Sequence, residues 1–375
     1  MTLSLSTHPS SERTGPIKVM VVDDSFVIRA LLSRAVEDQK DLEVVVTAGN
    51  GQIAINELKK REIDVVILDI EMPVMDGLTA IPFLLQADPH IQIIVASTLT
   101  HKNAEISMKA IKAGATDYLS KPSTSSEMSG ADQFKHDLVH KVREFGALSR
   151  RNRLKNPSLK TATAFTSSAF IPQKKELVLQ KNKNYPKPEI IAIGCSTGGP
   201  QALFNVLGGL KGHIRQPIVI TQHMPPTFTS ILANHITQQT GFNAVEGADG
   251  MTVESGKVYV APGDFHMTFV KEGLSLKIKL EKTPPVNFCR PAVDVMLKSL
   301  VDIYQSRILS VILTGLGSDG KNGCIEIFEK GGAVLAQDET TSVVWGMPGA
   351  VAKAGICADV LPISHLANQI IQMAR

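Results

Sequence analysis

The stretch EIIAIGCSTGGPQALFNVL, Glu189 to Leu207, reads as an apolar strand, a tight glycine turn and then a helix. A strand that runs straight into a helix is the unit of a parallel sheet, because parallel neighbours need a crossover between them. The same unit recurs on both sides. Downstream, PIVITQ, KVYVAPG, LSVILTG and AVLAQD are further buried-strand candidates within Pro188 to Arg375. Upstream, IKVMVV, LEVVVTA, DVVILDI, IQIIVAS and DYLS alternate with amphipathic segments from Ile17 to about Leu148. In SFVIRALLSRAVEDQ, Phe26, Ala30, Leu31 and Val36 fall along one helical face, and Ser25 is placed to cap the helix. The chain is therefore expected to be α/β, with two doubly wound parallel-sheet domains.

Length and composition agree. At 375 residues the chain exceeds one ordinary core. Hydrophobic content of 43% with 20% charged residues is that of a globular protein, and no apolar run is long enough to span a bilayer. The opening MTLSLSTHPSSERTGP lacks a basic start followed by an apolar core, so residues 1–16 are expected to be a disordered tail rather than a signal peptide, and the protein to be cytoplasmic. Cys195, Cys289, Cys324 and Cys357 are scattered without a C-x-x-C pair, which argues against a zinc site and a disulfide framework.

The net charge of +3 is unevenly spread. From Arg150 to Lys187 ten Lys or Arg face one acid, Glu176, so that stretch carries +9 and the remainder −6. This basic, Ser/Thr-rich and proline-marked segment, 149–187, is expected to be a flexible tether between a first domain, 17–148, and a second, 188–375. Folded parts that are mildly acidic weaken a nucleic-acid reading.

Both regions gather chemistry at the carboxyl ends of their strands, where doubly wound sheets place their sites. In the first, Asp23 and Asp24 end one strand, Asp69 another, Ser97 and Thr98 a third, and Lys121 with Pro122 a fourth. Three carboxylates at one edge repel unless a hard cation joins them, and oxygen ligands of this kind suit magnesium. A lysine opposite can hold the oxygens of an incoming phosphoryl group, which makes Asp69 the carboxylate nucleophile.

In the second region Gly194, Ser196 and Gly198 give G-x-S-x-G, a spacing that lifts a serine onto a strained turn. His223, just past the next strand, can serve as its base, and Asp319 in VILTGLGSDGKNG can orient that base. The same loop also fits G-x-G-x-x-G and falls one residue short of a P-loop, Asn322 standing where Ser or Thr is needed. A carboxylate inside a pyrophosphate cradle would oppose the phosphates, so Asp319 argues against both nucleotide readings. Cys195, beside the serine, points elsewhere from the turn and reads as a small buried thiol.

VVDDS, LDIEMPVMDG, AST and SKP, in that order over roughly the first 130 residues, resemble the receiver domain of two-component response regulators, a flavodoxin-like fold. IGCSTGGP, QHMPPTFT, YVAPGDFHM, RPAVDVM, LTGLGSDG and GMPGAV resemble the Rossmann-like catalytic domain of chemotaxis protein-glutamate methylesterases, which sits behind a receiver and commonly also deamidates glutamine. The resemblance implies Asp69 as phosphoacceptor and Asp24, Asp69 and the Glu71 carbonyl as magnesium ligands with Asp23 in support. It implies Ser97 as the hydroxyl switch and Lys121 as the phosphate contact. It also implies the triad Ser196, His223 and Asp319, with Thr197 shaping the site, the Leu316 N–H in the oxyanion hole, and no cofactor for hydrolysis. The partners implied are a chemoreceptor cytoplasmic domain as substrate and a histidine kinase as phosphoryl donor. The tether is longer and more basic than the family leads one to expect. The alternative is a response regulator whose second domain only binds, to DNA through the basic tether or to another protein. Against it, the tether has few aromatics and no recognition-helix pattern.

Overall fold

The computed structural model describes residues 15–97, 100–121, 128–155, 177–181 and 183–375. The tail up to residue 14, residues 156–176 of the expected tether, and Thr98 and Pro122 lie outside the described residues.

The five upstream strand candidates form one sheet: β1 (Ile17–Val22), β2 (Leu42–Ala48), β3 (Val65–Asp69), β4 (Gln92–Ser97) and β5 (Asp117–Ser120), in the order β2-β1-β3-β4-β5. The pairs β1–β2 and β1–β3 are parallel. β3 and β4 are buried along their whole length, as strands covered on both faces must be. The strand order reverses at β1, so the carboxyl ends of β1 and β3 flank a topological switch point.

Helix α1 (Phe26–Glu37) is capped as expected, with the Ile28 N–H donating to Ser25 Oγ at 3.4 Å, but its inward face differs from the expected one. Leu32, Ala35 and Val36 are buried, whereas Phe26 and Leu31 are 76% and 48% exposed and Ala30 also faces solvent. Apolar residues occupy most of FVIRALLSRAVE, so periodicity fits more than one stripe, and packing against the sheet selects among them.

α2 (Gly51–Leu58), α3 (Gly77–Ala87), α4 (His101–Lys112) and α5 (Met128–Lys155) complete the first set of crossovers. α5 continues past residue 148. Arg150 Nε lies 3.0 Å from Asp64 Oδ2, its Nη1 donates to the Gly15 carbonyl, and Arg153 Nη1 pairs with Asp88 at 2.7 Å. Two charges assigned to the tether thus hold the last turns of a helix in place. At the other end, Gln180 N donates to Cys357 O, and Leu177 and Leu179 pack on the second core. The expected tether is shortened from both sides.

The second sheet has seven strands in the order β14-β13-β12-β6-β7-β9-β8, parallel throughout. β6 (Ile190–Cys195), β7 (Ile218–Gln222), β9 (Lys257–Val260), β12 (Ile308–Ile312) and β13 (Ala333–Gln337) are the downstream candidates. The edge strands β8 (Asn243–Glu246) and β14 (Asp359–Leu361) were not anticipated, nor was the antiparallel hairpin β10 (His266–Glu272) and β11 (Ser275–Glu281). Helices α6 (Gly199–Leu210), α7 (Phe228–Thr240), α8 (Val293–Tyr304), α9 (Lys321–Glu329), α10 (Met347–Lys353) and α11 (Ile363–Ala374) alternate with the strands. The chain winds outward from β6 through β7 and then returns to β12 on the other side of β6. The carboxyl end of β6 is therefore the switch point, with β7 and β12 as its neighbours.

Candidate active site

Sheet register brings the serine and histidine together. Cys195 pairs with Gln222 across β6 and β7, so one step further Ser196 and His223 stand side by side, and His223 N donates to Cys195 O at 3.1 Å. From the other flank, Thr314 beyond β12 accepts from Ser196 N at 3.0 Å. The turn itself needs glycine. Gly198 has φ 75°, and a Cβ there would lie 2.7 Å from Val343 Cγ2. A Cβ at Gly315 would sit 2.9 Å from Ser196 Cβ, so the backbone leading into Leu316 runs directly against the serine. The Leu316 N–H makes no hydrogen bond among the described residues and is free to serve a substrate oxygen. Thr197 is buried, and its carbonyl is bound by Thr314 Oγ1 at 2.9 Å.

Asp319, 2% exposed, is the best-held group of the site. Its Oδ2 lies 2.7 Å from His223 Nε2 and accepts from Val293 N at 2.6 Å; its Oδ1 accepts from Asp294 N, Gly320 N and Asn287 Nδ2 at 3.0–3.1 Å. Val293 and Asp294 open α8, whose own N-cap, Ala292, has no side chain able to cap. Asp319 supplies that cap from the facing loop and takes the favourable field of the helix N-terminus. Burial by itself would raise the Asp319 carboxyl, but His223 and the α8 N–H groups bring it below the ordinary carboxylate range. For His223, burial opposes the cation, and the hydrogen bonds to Asp319 and then Cys289 more than reverse that, so the imidazole is a stronger base than usual.

The second ring nitrogen, Nδ1, faces Cys289 Sγ at 3.4 Å, and no hydrogen bond joins it to Ser196 Oγ in this arrangement. Catalytic hydrogen bonds often close only around a substrate. Four residues of the site were not singled out from sequence. Gln222 donates from Nε2 to Ser196 O at 2.8 Å and His223 O at 3.3 Å, tying the two turns together, while its buried Oε1 has no partner. Asn287 links Asp319 to Asp294, and Asp294 Oδ1 accepts from Gly323 N at 2.8 Å. Cys289 is the fourth. The available signals were the motifs QHMPPTFT and RPAVDVM, which contain Gln222 and Asp294.

Cys195 is fully buried, and desolvation raises its thiol far above the ordinary range. Cys195→Ala should retain ester hydrolysis to within about threefold, because a small buried hydrophobe is exchanged for a slightly smaller one. A loss matching removal of Ser196, in a variant with wild-type circular dichroism, would assign the nucleophile to the cysteine.

At the first sheet's edge, the carboxylates of Asp23, Asp24 and Asp69 come within 4.8 Å of one another; Asp23 and Asp69 are buried and Asp24 is exposed. Ser25 N donates to Asp23 Oδ1 at 2.9 Å, and Arg29 Nη1 reaches the carbonyls of Asp23 and Asp24 at 2.6 and 3.0 Å, fixing the turn. A Cβ at Gly77 would lie 2.1 Å from Asp69 O, so the loop carrying Glu71 folds back tightly on the strand end. Lys121 N donates to Ser97 O at 2.8 Å, and the Ser97 hydroxyl is engaged by Ser107 Oγ at 2.8 Å. Among the described residues no helix is long and apolar enough to cross a membrane.

Residues 191–370 match the CheB methylesterase family and residues 19–131 the response regulator receiver domain. The chain is 50% identical over 372 residues to the protein-glutamate methylesterase/protein-glutamine glutaminase of group 2 operon of Rhodospirillum centenum, covering 96% of this chain and 94% of that one. It is 50% identical over 375 residues to the protein-glutamate methylesterase/protein-glutamine glutaminase of Azospirillum brasilense, covering 98% and 95%. Among solved structures, the Thermotoga maritima CheB methylesterase catalytic domain is 39% identical with a TM-score of 0.49, covering all of that chain and 50% of this one. With a receiver sheet ahead of a serine, histidine and aspartate gathered at a second sheet's switch point, the chain belongs to the protein-glutamate methylesterase/protein-glutamine glutaminase family.

Proposed function

We propose that the protein hydrolyses glutamate methyl esters, and deamidates glutamines, on the cytoplasmic domain of chemoreceptors under control of phosphorylation at Asp69. The observation that carries the reading is the convergence of Ser196, His223 and Asp319 on one sheet edge, with His223 and Asp319 joined at 2.7 Å. Because Nε2 is committed to Asp319, it is Nδ1 that takes the Ser196 proton as Oγ attacks the ester carbonyl. The Leu316 N–H meets the tetrahedral oxyanion, with Thr197 shaping the wall beside it. The imidazolium, held by Asp319, returns its proton to the departing methoxide, and methanol leaves. Water then enters by the same base and frees the carboxylate; with glutamine the leaving group is ammonia. A second domain that only binds is not favoured, given relatives named for two hydrolytic activities.

In the receiver, Asp23, Asp24 and Asp69, with the Glu71 carbonyl, form an all-oxygen set that fits a magnesium ion. Bound there, the ion would neutralise charge as Asp69 attacks a phosphoryl group. Lys121 holds the phosphoryl oxygens and Ser97 reads the modified aspartate, the donor being a histidine kinase. The test is methanol release from a methylated receptor fragment, with and without a small phosphoryl donor. Release should rise with the donor in the native protein and stay at its basal rate in Asp69→Asn. No release under either condition would overturn the reading.

The strengthened basicity of His223 sets the pH dependence. Only the neutral ring accepts the serine proton, so kcat/KM should climb with pH through a midpoint above the ordinary histidine value of about 6.5. Removing the Cys289 contact takes away part of what raises it, so in Cys289→Ala the midpoint should move to lower pH. An unmoved midpoint would show that the thiol does not bear on the base.

A further inference from the structure

The hydrolytic scheme leaves one reactive group in the cleft unused. Cys289 Sγ lies 3.4 Å from His223 Nδ1, and His223 Nε2 lies 2.7 Å from Asp319 Oδ2. Thiol, imidazole and carboxylate thus form an unbroken relay of the kind that creates reactive thiolates. The loop that carries the thiol is fastened to the site: Val286 and Cys289 exchange backbone hydrogen bonds at 3.0 and 2.9 Å, and Asn287 between them donates to Asp319. The other three cysteines, Cys195, Cys324 and Cys357, are buried, and desolvation holds all their thiols high; only Cys289 is partly open to solvent.

We infer that Cys289 is a modification site for small hydroperoxides, activated by the same His223–Asp319 pair that serves Ser196. The ring at Nδ1 takes the thiol proton. The thiolate then attacks one oxygen of the peroxide, an S–O bond forms as the O–O bond breaks, and sulfur gives two electrons to the peroxide. The departing hydroxide, or alkoxide where the peroxide is organic, takes the proton from Nδ1 and leaves as water or an alcohol, so the product is a neutral sulfenic acid lying against the base. An oxygen added there occupies the nitrogen that Ser196 needs, and hydrolysis stops until a thiol reductant restores the cysteine. The effect on hydrolysis rests on the proposed function; the labelling does not.

The experiment treats the full chain with hydrogen peroxide in the presence of a 1,3-cyclohexanedione trap and maps adducts by peptide mass spectrometry. The adduct should form at Cys289 and not at the three buried cysteines. In His223→Gln, a readout independent of ester hydrolysis, labelling of Cys289 should slow by at least about tenfold, as expected for a thiol stripped of its base. Without the trap, methanol release should fall with peroxide and return with reductant, while Cys289→Ala keeps its own untreated rate. Labelling that is as fast in His223→Gln as in the native chain overturns the relay. Equal peroxide inactivation of Cys289→Ala overturns Cys289 as the site.

Discussion

Ser196→Ala is expected to lower methanol release by about four to six orders of magnitude, since removing the nucleophile of a triad leaves only binding and oxyanion stabilisation. The fold should not notice. Ser196 is half-buried, and the bonds that hold its turn use only its own backbone atoms: its N–H donates to Thr314 O, and its carbonyl accepts from Gly199 N and the Gln222 side chain. A change confined to one hydroxyl at such a position alters stability by no more than about 0.5 kcal/mol, or a degree or two in melting temperature. The Cys289–His223–Asp319 relay survives this substitution, so any residual rate has a second candidate source. Combining Ser196→Ala with Cys289→Ala removes it. Release by the doubly substituted protein above about 1% of the native rate would mean that the triad is wrongly assigned.

The groups that were legible in the sequence share one property: their position follows from local chain direction. Asp69 closes a fully buried strand, Ser196 sits on a strand-to-helix turn, and Asp319 follows a strand of the same sheet, so each had to emerge at a carboxyl edge. Five of the seven parallel strands of the second sheet and all five of the first were legible for the same reason. What was hidden depends on tertiary contact. SLKIKLE alternates lysine with apolar residues, which suits a half-exposed hairpin and not a covered parallel strand, and DVL is short and only partly buried. Asn287 and Cys289 come from the loop after that hairpin, where Asn287 and Phe288 both take positive φ, 51° and 63°, with no local pattern to announce it. Arg150 and Arg153 look like tether charges until α5 brings them to Asp64 and Asp88.

Asp319→Asn should cost about four orders of magnitude in kcat/KM and, unlike Ser196→Ala, should also destabilise the fold. The reason is that every neighbour of the carboxylate is a donor. Three donors meet Oδ1 (Asp294 N, Gly320 N and Asn287 Nδ2), and two meet Oδ2 (Val293 N and His223 Nε2). An asparagine offers one acceptor oxygen and one NH2, so its better orientation keeps the oxygen at the Oδ1 position and turns the NH2 toward Val293 N and the imidazole. The ring can adapt by presenting a lone pair at Nε2, but its proton then moves to Nδ1, the atom that must accept the proton of Ser196. The Val293 N–H cannot adapt and is left buried against another donor, a loss of about 1–3 kcal/mol. The charge that stabilised the imidazolium is also gone, so what activity remains should show a midpoint displaced toward lower pH than in the native protein. Two measurements decide the matter: kcat/KM against pH on a methylated receptor fragment, and chemical denaturation at neutral pH. Retention of more than about a tenth of native activity with an unmoved pH profile would show that Asp319 neither sets the tautomer of His223 nor holds its charge.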